Sequence, residues 1–255
     1  MYLVVDIGNT NIVFAILEGS FVKYKWRVST DINRTSDEYY IWLSTIIKDK
    51  LDIQEVIIGS VVPGVAEKIK ISCYNYLKKK VYIINEDIKI NFPIKLENKK
   101  EVGTDRLVNS LAAWSHYKEA SIIIDFGTAT TFDVVNKNGA YEGGIICPGI
   151  NLSLQTLHSA AARLPRIAVT KPEKVIGKTT VKAMSSGIYF GYIGLIKHIV
   201  ELVTLELEYK TKVILTGGLA DLFSENLGIH NIVQKDLTIE GLYLAYKQYK
   251  VNKND

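Results

Sequence analysis

Cysteine, histidine and charge of one sign are all scarce in this chain, and each shortage excludes something. Only two cysteines occur in 255 residues. Cys73 and Cys147 stand far apart, which fits a reducing compartment and small buried or semi-buried side chains better than a disulfide; neither has the spacing of a metal ligand. The four histidines, His116, His158, His198 and His230, share no ligand or triad spacing. Basic and acidic residues nearly balance, 31 against 27. Lysines gather only at Lys78-Lys79-Lys80 and Lys99-Lys100, without interleaved aromatics, so solvated helix and loop ends are expected in place of a nucleic-acid surface. Met1-Tyr2 runs directly into a strand with no basic segment before it, and the apolar stretches read as shorter than the roughly 20 residues that cross a bilayer. The expectation is a soluble cytoplasmic protein with no membrane partner, whose 47% hydrophobic content supplies a sizeable core.

What the chain has is a strand-turn-strand phrase written twice. Leu3-Val4-Val5-Asp6-Ile7-Gly8-Asn9-Thr10-Asn11 returns as Ile122-Ile123-Ile124-Asp125-Phe126-Gly127-Thr128-Ala129-Thr130, with the two Asp residues 119 positions apart. That period is of domain size, unlike a solenoid repeat. A strand that carries a carboxylate to the edge of a Gly/Thr turn suits a phosphate-metal site, because glycine lets backbone N–H groups approach an anion closely. Read alone, either copy is equally an ordinary hairpin.

Around each copy the periodicity predicts the same order. Strands at 2–7, 11–17 and 21–29 precede a helix at 36–50 with Ser36 as N-cap, a strand at 55–61, a helix at 63–79 opened by Pro63 and a strand at 81–85. After a polar segment, 86–103, and a helix at 104–118, strands follow at 121–126, 129–136 and 139–147, with hairpin chemistry in Asn136-Lys137-Asn138-Gly139. Helices at 149–162 and 179–208, a strand at 212–216, a helix at 218–226, a strand at 230–234 and a helix at 236–250 complete the chain. The fold class is α/β, with two duplicated lobes, 1–103 and 104–255, of βββαβα topology that enclose a nucleotide cleft.

Three further segments bear on chemistry. Gly103-Thr104-Asp105-Arg106 opens a helix, whose N-terminus favours an anion, although Asp105 there is also an ordinary first-turn residue. Gly177-Lys178-Thr179 ends like a phosphate-binding P-loop, but position 172 is proline where that motif needs glycine. The long helix after it, with Gly187, Gly191 and Gly194, suits either a dimer surface or packing within the chain.

Asp6-Ile7-Gly8-Asn9-Thr10-Asn11, Gly103-Thr104-Asp105-Arg106, Asp125-Phe126-Gly127-Thr128-Ala129-Thr130-Thr131, Gly143-Gly144 with Pro148-Gly149, and Gly177-Lys178-Thr179-Thr180 come in an order that resembles the type III pantothenate kinases. Those belong to the acetate kinase/sugar kinase/Hsp70/actin superfamily, and the resemblance runs from residue 1 to about 248. It implies ribonuclease H-like lobes and ATP-dependent phosphorylation of pantothenate, the first step of coenzyme A synthesis. By that resemblance Asp6, directly or through water, holds Mg²⁺, while Ile7, Gly8, Asn9, Thr10, Asn11 and Thr128 bind ATP. Asp125 holds K⁺ or NH₄⁺ and Asp105 is the general base. Gly103, Thr104, Asp105 and Arg106 line the pantothenate site, Arg106 as ligand of the carboxylate, and Thr180 reaches the substrate site of the partner in a homodimer.

The chain departs from the family at Leu96, where many members carry a tyrosine that packs on the substrate, at Lys99, where proline is usual, and at Thr104, where alanine is common. These changes touch the wall of the substrate pocket and leave the base and both turns intact. Two other classes share the fold: a non-catalytic transcriptional accessory regulator, and a kinase for another small hydroxylated acid.

Overall fold

Both apolar runs that end in Asp become the middle strand of a five-stranded sheet. A computed structural model describes residues 1–47, 52–161 and 164–254. The first half forms β1 (Tyr2–Ile7), β2 (Asn11–Glu18), β3 (Phe21–Ser29), α1 (Ser36–Ile46), β4 (Glu55–Ser60), α2 (Pro63–Leu77) and β5 (Val81–Ile83). One turn of 3₁₀ helix (Lys99–Glu101) and α3 (Thr104–Tyr117) lead into β6 (Ser121–Phe126), β7 (Ala129–Val135), β8 (Tyr141–Pro148), α4 (Ile150–Ala160) and α5 (Thr180–Leu207). The chain continues with β9 (Lys212–Gly217), α6 (Ala220–Ser224), β10 (Asn231–Val233) and α7 (Leu237–Asn254).

The sheets run β3-β2-β1-β4-β5 and β10-β9-β6-β7-β8, the same order read from opposite ends. In each, the Asp strand pairs antiparallel with the second strand of the meander and parallel with the strand that follows the helical crossover. Such a strand is covered on both faces, which is why it reads as an unbroken apolar run. Leu3, Val5 and Ile7 pack with Phe14, Ile58, Tyr39, Leu43 and Ile69 in the first core. In the second, Ile122, Ile124 and Phe126 pack with Phe132, Tyr189, Leu215 and Phe223, and Phe223 stacks between Phe126 and Tyr189 with ring centroids 5.3 Å apart on each side. The edge strand β3 carries Lys23, Lys25 and Arg27 to solvent, charges that oppose edge-to-edge pairing.

Element boundaries depart from expectation where local chemistry decides them. The N-cap of α1 is Thr35 and not Ser36: Thr35 Oγ1 accepts from the Glu38 N–H, and the Thr35 N–H donates back to Glu38 Oε2 (2.7 Å). A threonine followed three residues later by glutamate makes this reciprocal box, worth about 1 kcal/mol. The helix ends at Ile46, and the expected positions 48–50 and 162 lie outside the described residues. The 3₁₀ turn in the segment 86–103 was not anticipated, and α7 runs to Asn254, four residues beyond the expected end. The apolar stretches were also expected to fall short of a membrane span. Yet α5, with 28 residues, is long and apolar enough by length and composition. One face of it, Met184, Ile188, Tyr189, Tyr192 and Ile196, is buried in the second core.

The chain divides into two compact units, Met1–Ser115 with Asp236–Asp255, and His116–Lys235. The sequence drew the line at 103/104 and kept the last helix with the second lobe. Helices α3 and α7 instead belong with the first sheet. Helix α7 lies on β1 and β4, Leu242 fills the space beside Gly59, and Gly241 lies so close to α3 that a Cβ there would stand 2.1 Å from the Val108 carbonyl oxygen. Thr238 Oγ1 donates to Asn109 Oδ1 (2.8 Å), and Lys25 Nζ donates to Asp236 Oδ1 (2.5 Å).

The far end of α7 is fastened by Glu55. Tyr246 and Tyr82 donate their hydroxyls to its carboxylate, and Lys250 Nζ donates at 2.8 Å, within a cluster completed by Tyr2 and Tyr243. Burial opposes the Glu55 charge, but the bonds from Lys250, Tyr246 and Tyr82 outweigh it and hold the carboxyl below its ordinary range. A depressed folded-state value stabilises the fold above the unfolded carboxylate pKa, about 4.3, and that stability disappears as the pH falls through the folded value. Glu55→Gln is therefore expected to destabilise the protein by about 1–3 kcal/mol at pH 7, with the gap from wild type narrowing below about pH 4. Chemical denaturation at both pH values checks this; a gap that does not depend on pH removes the Glu55 charge from the account.

Candidate active site

Each Asp-Gly turn follows the middle strand of its own sheet, and the two differ in length. Ile7 pairs with Ile12, so residues 8–11 make the first turn, closed by the Gly8 N–H donating to the Asn11 carbonyl (3.0 Å). Phe126 pairs with Thr130, so only 127–129 make the second, closed by the Gly127 N–H donating to the Ala129 carbonyl (3.1 Å). The first turn thus carries one more peptide group than the second. Asn9 and Thr10 are exposed at its tip, while Asp6, Gly8 and Asn11 are half-buried. Its carbonyls point back into the protein: that of Ile7 accepts from the Val61 N–H (3.0 Å), that of Thr10 from the Thr30 N–H (2.9 Å) and that of Gly8 from the Thr30 hydroxyl (2.6 Å).

The second turn is shaped by close backbone approach. A Cβ on Gly149 would stand 2.0 Å from the Thr128 carbonyl oxygen and 2.9 Å from that of Gly127. Gly217, at φ +87°, leaves room beside Asp125 that a Cβ would fill, 2.5 Å from Oδ1. Thr128 is exposed and Asp125 half-buried, whereas Thr130 is fully buried and belongs to the core face of β7.

At the start of α3, the Leu107 N–H donates to the Gly103 carbonyl (3.2 Å) and closes the first turn of helix. Asp105 Oδ1 accepts from the Arg106 N–H (2.9 Å), and a Cβ on Gly103 would meet that same oxygen at 2.5 Å, so glycine makes room for the carboxylate. Asp105 and Arg106 are half-buried. Thr104, expected at the substrate, is buried, and its hydroxyl accepts from Asn85 Nδ2 (2.7 Å). Its side chain therefore anchors the helix start. Asp6 to Asn11 and Gly103 to Arg106 share the first unit; Asp125, Thr128 and Thr180 belong to the second. Thr180 is exposed at the first position of α5, behind the N-cap Thr179.

Sequence reading missed Thr30, Asn85 and Gly217. The paired Gly217-Gly218 after an apolar strand was a visible signal for the last. Nothing local marks Thr30 or Asn85, because their partners lie 22 and 19 residues away. Among the described residues no group of three or more His, Cys, Asp or Glu side chains clusters as metal ligands. A depression of about 390 Å³ along α4, lined by Leu152, Gln155, Thr156, Ser159 and Ala160, contains none of these site residues.

Comparison with solved structures places this fold in a class. A protein described as a Baf family transcriptional activator from Campylobacter jejuni matches at TM-score 0.62 with 21% identity, over 97% of this chain and 98% of that one. One described as a 2-dehydro-3-deoxygalactonokinase from Sinorhizobium meliloti matches at TM-score 0.59 with 12% identity, over 98% and 99%. The fold is the duplicated ribonuclease H-like fold of the actin, Hsp70 and sugar-kinase class. Within that class the chain belongs to the type III pantothenate kinase family, whose profile matches residues 2–202. A type III pantothenate kinase from Paramagnetospirillum magneticum is 48% identical over 253 residues, 97% of each chain.

The close approach at Gly149 makes a direct test of the second turn. Gly149→Ala is expected to cost about 1–3 kcal/mol through overpacking, whereas Gly127→Ala, whose Cβ comes no closer than 3.4 Å to the Ala129 carbonyl, should melt close to wild type. Thermal denaturation of the two variants checks the order, and equal melting temperatures would contradict it.

Proposed function

We propose that this kinase, which phosphorylates pantothenate with ATP for coenzyme A synthesis, uses Asp105 as general base, Arg106 as ligand of the pantothenate carboxylate and the Asp6 turn as the grip on the triphosphate. The observation that carries this reading is the placement of Asp105. It stands in the first turn of α3, where the helix N-terminus favours negative charge, with its carboxylate accommodated by Gly103 and oriented by the Arg106 N–H. The hydroxyl oxygen of pantothenate attacks the γ-phosphorus while Asp105 takes its proton; the bond to the β,γ-bridging oxygen breaks and ADP leaves with the electron pair. Little covalent work falls to the protein in such a transfer, so orientation and charge neutralisation dominate.

One carboxylate, Asp6, beside a turn rich in oxygen and amide donors fits Mg²⁺, which keeps several waters and binds through one or two carboxylates and substrate phosphates. When bound, the ion neutralises charge on the phosphates. Asp125, an oxygen ligand beside the compact second turn, suits a hard monovalent cation, K⁺ or NH₄⁺. Thr128 contacts phosphate from that turn.

A homodimer is part of the same reading. Ile146, Leu152, Leu157, Val175, Ile176, Val181, Leu202 and Leu205 are exposed in the second unit, on β8, α4, α5 and the segment before α5, and offer a second copy apolar side chains to cover. In that arrangement the exposed Thr180 is free to serve the partner's substrate site. The free cysteines, Cys73 and Cys147, support a reducing, cytoplasmic location.

Asp105→Asn is expected to lower kcat by about 10²–10⁴-fold while pantothenate still binds, as steady-state kinetics and calorimetry would register. A variant with near wild-type kcat removes Asp105 from the role of base. Replacing K⁺ by Na⁺ in the assay should depress turnover of the wild-type enzyme; equal rates in the two salts would take the monovalent cation away from Asp125.

A further inference from the structure

We infer that Thr30 is a positioning residue for the triphosphate: its hydroxyl and its backbone N–H together aim two amides of the Asp6 turn at the anion. The inference rests on the reading of that turn as the triphosphate grip. Thr30 follows β3 directly and reaches the turn twice, Oγ1 donating to the Gly8 carbonyl (2.6 Å) and N–H donating to the Thr10 carbonyl (2.9 Å). Every described peptide bond is trans, and in a planar trans peptide the C=O and the following N–H point in opposite directions. Holding the Gly8 carbonyl toward Thr30 therefore turns the Asn9 N–H away from β3, at the exposed tip. Holding the Thr10 carbonyl does the same for the Asn11 N–H, which faces into the turn. The two N–H groups, of Asn9 and Asn11, are thereby offered to an anion from one turn, and a donor already oriented loses less freedom when the ligand arrives.

The second turn shows what the side chain adds. Asn11 lies opposite Ser29 in the first sheet and Ala129 opposite Pro148 in the second, so the place of Thr30 is taken by Gly149. Glycine brings no hydroxyl; its Cα instead packs against the Thr128 carbonyl. The copies therefore differ in the residue at this place: Thr30 puts a hydroxyl on the first turn, and Gly149 packs its backbone against the second. That asymmetry matches a division in which the first turn grips phosphate through N–H groups and the second does other work.

The test uses the purified full-length enzyme and the variants Thr30→Val, Thr30→Ser and Thr30→Ala. Thr30→Val keeps shape and backbone N–H but loses the hydroxyl. Its KM for ATP is expected to rise about tenfold, the equivalent of one hydrogen bond, with KM for pantothenate unchanged; Thr30→Ser, which retains the hydroxyl, should restore the wild-type value. Thr30→Ala gives the same reading if the valine variant fails to fold. An ATP KM unchanged in Thr30→Val, or raised equally in Thr30→Val and Thr30→Ser, overturns the positioning role, as does an equal rise in KM for both substrates. Asp6→Ala separates the two levels. If it raises the ATP KM and Thr30→Val does not, only the positioning inference falls; if neither does, the triphosphate reading of the turn falls as well.

Discussion

Everything in the candidate site depends on the burial of one strand in each unit. β1 and β6 are flanked by an antiparallel neighbour on one side and a parallel neighbour on the other and covered on both faces, so their register has no freedom. A slip of one residue would exchange the faces of every side chain and mismatch the packing on both sides of the sheet at once. The apolar run is thus the constraint that delivers a carboxylate to the end of the sheet. The turn that follows inherits its position from the core.

The duplication is strict in the strands and relaxed in the turns. Sheet order and pairing sense agree between the copies, as packing requires. The turns, which pack against less, have diverged by one residue in length and in the neighbour that controls them, Thr30 in one and Gly149 in the other. Relaxed sites of this kind, held on a rigid scaffold, are where function is expected to separate two originally equivalent halves.

Much of the fold was legible because its signals are local. Central strands read as apolar runs, Pro63 and the Thr35-to-Glu38 box mark helix starts, and Asn136 with Gly139 marks a hairpin whose Asn136 Oδ1 accepts from the N–H groups of Asn138 and Ala140. The candidate site was legible as motifs: Asp6 to Asn11, Gly103 to Arg106 and Asp125 to Thr128 all fall at strand ends or at a helix start. The partner of Thr104 was not legible for a reason of distance, since its hydroxyl accepts from Asn85, a residue whose left-handed backbone (φ 71°) closes a turn after β5. Helices α3 and α7 were assigned by chain order, and chain order carries no information about which sheet a connecting helix covers.

The sequence by itself determined the two Asp-bearing strands, the duplicated order of elements and the position of Asp105 at a helix start, because periodicity, caps and turn residues act over a few positions. Only the tertiary structure decided that α7 is fastened through Glu55 and Asn109 to the first unit, that Gly149 must be glycine, and that Thr30 governs the peptide planes of the first turn. Those facts come from groups distant in the chain that meet only once the cores have formed. Contacts of that kind leave no period or spacing in the sequence to read.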